Sequence, residues 1–114
     1  MSFIDEDYVN IVPQDLLERG IRLREEYGIY GIAWRFDDVM EVLKIARDRD
    51  ILIVGGDVYH LSDNKPIITY DGWSIKAEDD DAFELAIEYI TNYRARNGDD
   101  FAYCPVISPG RVSK

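Results

Sequence analysis

The chain has 114 residues, a length that suits one hydrophobic core, and 46% of them are hydrophobic, enough apolar area to offset chain entropy and exclude wholesale disorder. With 23 acidic residues against 13 basic ones the net charge is −10, a balance that disfavours direct nucleic-acid binding, which needs clustered Lys and Arg along the phosphates. No apolar run approaches the roughly 20 residues needed to span a bilayer, the start Ser2 to Asp7 is acidic where a secretory leader is basic, and the single Cys104 cannot close an internal disulfide; these features point to a cytoplasmic chain without a membrane partner.

In chain order, a first helix is expected from about Pro13 to Tyr27: Pro13 suits a first turn, Leu16, Gly20, Leu23 and Tyr27 recur at helical spacing, and Gly28 follows as a stop. A second should begin near Asp38, where Asp38-x-x-Glu41 has capping-box spacing, and run through Val39, Val42, Leu43 and Ala46 to Arg47-Asp48-Arg49-Asp50. A hairpin is then expected. Ile51–Val54 and Val58–Leu61, with a Gly-Gly break between them, and Pro66–Tyr70, extended through Trp73–Ile75, flank the turn-rich Ser62-Asp63-Asn64-Lys65. The third helix opens in Glu78-Asp79-Asp80-Asp81 and carries Phe83, Ala86, Ile87, Ile90 and Tyr93 before Arg94, Arg96 and Gly98, so acid precedes base as the helix dipole prefers. A last strand, Phe101–Cys104, meets Pro105, which points to a strand that ends there or lies at a sheet edge. The sum is an α+β, two-layer fold: about three helices on a small, mainly antiparallel sheet, one domain over residues 1–114 with 1–12 and 108–114 loose.

The residues nominate no catalytic group, metal ligand or cofactor site. Gly55-Gly56-Asp57 lacks the spacing and lysine of a phosphate loop, and glycines inside a strand more often mark a bulge or tight packing under an aromatic. His60 and Asp57 fall on opposite faces of a regular strand, which strains a shared metal site, and Cys104 between Tyr103 and Pro105 reads as a small buried hydrophobe. Of the aromatics, Trp34 reads as core between the first two helices, and Trp73, beside a bulge or turn at Asp71-Gly72, as the more exposed.

Gly31-Ile32-Ala33-Trp34 before a helix, then Ile51-Leu52-Ile53-Val54-Gly55-Gly56-Asp57-Val58-Tyr59, then Thr69-Tyr70-Asp71-Gly72-Trp73, resemble in order and spacing the immunity protein 40 family of bacterial polymorphic toxin systems, over about residues 28 to 107. Gly72 departs from the polar residue that the family pattern has before the tryptophan. The resemblance implies a protein, not an enzyme, that neutralises a cognate toxin by binding it, and an acidic surface suits a basic toxin domain such as a nuclease. The alternative is an acidic protein-binding or regulatory module unrelated to toxins. Candidate partner-binding residues are Asp57, Tyr59, Asp71 and Trp73, which strand pairing would bring to one side, with a second acidic set of Glu78, Asp79, Asp80, Asp81, Glu84 and Glu88.

Overall fold

The computed structural model describes residues 12–23, 27–28, 31–75 and 81–108. Among the described residues, helices α1 (Gln14–Arg19), α2 (Phe36–Asp48) and α3 (Ala82–Asn97) accompany five strands: β1 (Ile21–Arg22), β2 (Ile32–Arg35), β3 (Leu52–Ser62), β4 (Lys65–Ser74) and β5 (Phe101–Ser108). Every strand pair is antiparallel and the sheet order is β1-β2-β5-β3-β4, an α+β arrangement with the helices packed on the sheet.

The main core lies between the helices and one sheet face. Val39, Val42, Leu43 and Ala46 of α2 and Ala86, Ile90 and Tyr93 of α3 meet Trp34, Ile53, Val58 and Tyr103 from the strands. Trp34 is fully buried, and its indole Nε1 donates to the Leu16 carbonyl at 2.8 Å, so its one polar atom is satisfied where it joins α1 to the sheet. Along the outer flank of the helical layer, Arg47 lies over the Phe83 ring and Arg94 over Phe36, with the charge in water and the ring shielded. On the opposite sheet face Leu23, Ala33, Tyr59, Leu61, Ala102 and Cys104 form a smaller cluster, where Cys104 is the buried hydrophobe expected of it. Tyr27 stacks on Tyr59 at 6.1 Å between ring centres and donates to the Pro66 carbonyl at 2.6 Å, covering part of this face.

Several expectations are corrected. The expected first helix is interrupted: α1 stops at Arg19, Gly20 is extended, at φ −79° and ψ 155°, β1 follows, and Leu23 and Tyr27 are helical again. A Cβ at Gly20 would collide with Ile32 and the Trp34 indole, so the sheet sets this break by close approach. The second helix starts at Phe36, two residues before the expected capping box, with no side-chain cap; Asp38 instead accepts from Arg19 Nε at 3.1 Å, tying α2 to α1. Nor does the last strand end at Pro105 or form an edge. It runs to Ser108 with β3 along its length, and the β2 ladder, Trp34↔Tyr103 and Arg35↔Ala102, leaves Pro105 beyond it, so a residue without an N–H fits in an inner strand. Val12 is buried in the main core, while residues 1–11 and 109–114, most of the expected loose ends, lie outside the described residues.

The β3–β4 hairpin turns through Asp63 and Asn64, both at positive φ (54° and 65°), the two-residue turn whose twist matches its strands. Arg35 reaches across from the start of α2 to Asn64 Oδ1 at 3.1 Å.

Candidate partner-binding site

The β3–β4 pair is regular from Ser62↔Lys65 to Tyr59↔Ile68 and again from Asp57↔Gly72 to Gly55↔Ser74. Between these stretches Thr69, Tyr70 and Asp71 of β4 face the single Val58 of β3. The extra residues make a bulge, with Tyr70 at φ 67° and 93% exposed. Thr69 Oγ1 donates to the Val58 carbonyl at 2.7 Å and accepts from the Asp71 N–H at 3.0 Å, while the Tyr93 hydroxyl of α3 donates to Asp71 Oδ2 at 2.8 Å. The bulge is thus pinned to its neighbouring strand and to the helix above it.

A recess of about 440 Å³ opens here, lined by Asp57, Tyr59, Tyr70, Asp71 and Trp73 among others. All four residues of the first candidate set border it, but they do not rise from one face as expected. Trp73 lies opposite Gly56 and stacks against Tyr89 of α3 at 5.2 Å, and Asp71 is held by Tyr93, so both belong to the helical side. Tyr59 belongs to the opposite face, and alternation puts Asp57 there with it. Tyr59 is only 5% exposed and Trp73 is half-buried, so the aromatics are walls while Asp57 and Asp71 are open to solvent.

Gly56 explains the Gly-Gly break. The Trp73 ring occupies the space a Cβ would take at Gly56, so this glycine serves packing under an aromatic. His60 packs edge-on against Phe101 at 5.2 Å between ring centres, on the face away from Asp57, and among the described residues no group of three or more His, Cys, Asp or Glu is placed to hold a metal.

Two groups of the recess, Asp57 and Tyr59, hold their protons more tightly than usual. Desolvation raises the Asp57 carboxyl above its usual value, and it pushes the Tyr59 phenol up to about 12, reinforced by the nearby Cys104, Asp57 and Tyr27. Tyr93 also rises to about 12, through burial first and its hydrogen bond to Asp71 second. Neutral phenols and exposed carboxylates can anchor and attract a partner; they supply no activated nucleophile.

The second acidic set is only partly placed. Asp81 precedes α3, and Glu84 and Glu88 are exposed on it, away from the sheet that separates them from Asp57; Glu78, Asp79 and Asp80 lie outside the described residues. The placed members of the second set thus lie across the sheet from Asp57, while Asp71 and Trp73 of the first set share the helical side with α3. Tyr70, 93% exposed, is not among the candidate residues that the sequence nominates. The available signal was Asp71-Gly72, turn-forming types within a strand.

Among the described residues no helix is long and apolar enough to cross a membrane. No curated protein and no solved structure matches the chain. A family model described as immunity protein 40 matches residues 22–107, a span that runs from β1 to β5 and takes in both strands of the recess. The chain belongs to the immunity protein 40 family.

Proposed function

We propose that this protein binds a cognate bacterial toxin domain in the cytoplasm and neutralises it by steric and electrostatic occlusion, without chemistry of its own. Family membership carries the reading. Two features support it. The net charge of −10 would speed encounter with a basic domain, of which a nuclease is the favoured kind, and the bulge on β4 offers Asp57 and Asp71 beside an exposed aromatic. Tyr59 and Trp73 shape the recess from beneath. Asp81, Glu84 and Glu88 form a second acidic face on α3, which serves if the partner approaches the helical layer.

The test is co-expression with the toxin domain encoded beside this chain's gene. Co-purification as a stable complex and survival of the expressing cells are expected. A folded, abundant chain that neither captures the toxin domain nor protects the cell would sink the proposal.

A further inference from the structure

The bulge holds an arrangement that the fold itself does not need. Tyr70 sits at φ 67°, in the left-handed region that bulky L side chains avoid, and 93% of the residue is in solvent, so its ring returns no packing energy for that strain. Asparagine or glycine would make the same bend more cheaply. Yet three hydrogen bonds, from Thr69 to Val58, from the Asp71 N–H to Thr69 and from Tyr93 to Asp71, fix the backbone on both sides of it. Strain held in place by surrounding contacts, with an apolar group displayed at its apex, marks a position shaped for something outside the chain.

The chemistry around Tyr70 narrows what that is. Asp57 and Asp71 are exposed in the recess that Tyr70 borders, and Ile68, 40% exposed, adds apolar surface beside them. β4 is an edge strand, but Lys65, Pro66 and the three-against-one bulge interrupt the straight row of backbone groups that a strand-adding partner needs. The site fits a knob better than a docking edge. We infer that Tyr70 is the anchor of the toxin interface, a phenol ring inserted into a cleft of the toxin domain whose rim carries Arg or Lys facing Asp57 and Asp71. This rests on the toxin-binding function and specifies the contact. Charge complementarity selects the cationic rim, and a backbone fixed in advance by the bulge spares the partner the cost of ordering that segment.

The experiment measures binding to the toxin domain encoded beside this chain's gene by surface plasmon resonance, with thermal unfolding of each variant. Tyr70→Asn is expected to keep or raise the melting temperature, because asparagine tolerates the left-handed region, and to weaken binding at least about 30-fold, mainly through faster dissociation. Tyr70→Phe, which keeps the ring, is expected to bind within a few-fold of wild type, and Lys44→Ala, on exposed α2 surface, to bind as wild type. Wild-type affinity in Tyr70→Asn would overturn the inference while leaving toxin binding intact. So would a lower melting temperature with unchanged binding, which would make Tyr70 structural, or an effect confined to self-association in sedimentation. Failure of the wild-type chain to bind the toxin domain would remove both the inference and the function on which it rests.

Discussion

The Tyr93 hydroxyl on α3 and the Asp71 carboxylate on β4 meet at 2.8 Å, the direct link between the helical layer and the bulge at the sheet edge. Tyr93→Phe removes that bond while keeping the ring and its packing against Phe101 and Tyr103. A loss of about 1.5–3 kcal/mol in chemical denaturation is expected, the usual net worth of a hydrogen bond to a charged group. Toxin binding should weaken with it, since Asp71 and Tyr70 lose their tether; unchanged stability would show that the bulge holds without α3.

Gly56→Ala would force the Trp73 indole off its seat between β3 and Tyr89. Overpacking of this kind costs about 1–3 kcal/mol. Denaturant midpoints should fall accordingly, with a changed tryptophan emission. Calorimetry with nucleoside phosphates should show no binding to the wild-type chain, and micromolar affinity abolished by Gly56→Ala would reverse the assignment of this glycine to packing.

Burial raises the Asp57 carboxyl above its usual 3.8, so the folded chain holds that proton more tightly than the unfolded chain. The stability this confers is present in full below pH 3.8 and is lost as the pH rises through the raised value, leaving a charge that opposes folding at neutral pH. Asp57→Asn should therefore keep or raise the neutral melting temperature and lose that advantage in acid. Asp57→Lys should slow association with a basic toxin domain and reduce its salt dependence. Equal on-rates for wild type and the folded lysine variant would remove Asp57 from the interface.

Tyr59, Tyr93 and Tyr103 each have phenols pushed up to about 12 from 10.0, with burial as the first cause in all three. Their contribution to stability is complete below pH 10.0 and drains away between there and about 12, because the unfolded chain ionises first. A near-ultraviolet titration of the eight tyrosines should show a late-ionising group that includes at least these three. Ionisation of all eight in one step near 10, with the fold intact, would contradict the burial described.

Local signals in the sequence proved reliable where local forces decide. Acid at Asp81, the apolar period through Ala86, Ile90 and Tyr93, and base at Arg94 and Arg96 mark α3, and Asp63-Asn64 marks the hairpin turn. The errors arose where distant residues decide. Gly20 is a break because Trp34 and Ile32 arrive beside it, and Asp38 is drawn from a capping role by Arg19. The same holds at the site. Asp57 and Asp71 were identifiable as acids near glycine-marked irregularities, but the two-residue turn at Asp63-Asn64 sets a register that pairs odd-numbered residues of β3 with even-numbered residues of β4, so Asp71 and Trp73 face away from Asp57 and Tyr59. The two extra residues opposite Val58 leave that alternation unchanged but lift Tyr70 outward, and Tyr70 acquires its exposure from a backbone angle that its residue type does not advertise.

β5 joins β2 to β3, so the last of the described strands to be synthesised is the one that bridges the sheet. The β3–β4 hairpin depends on neighbours close in sequence and can form early, whereas β2 and β3 remain open-edged until residues 101–108 insert between them. On the proposed function, protection would thus lag behind translation: a nascent chain stopped before Phe101 would display its recess on a half-built sheet with two sticky edges, prone to aggregate before it could bind a partner.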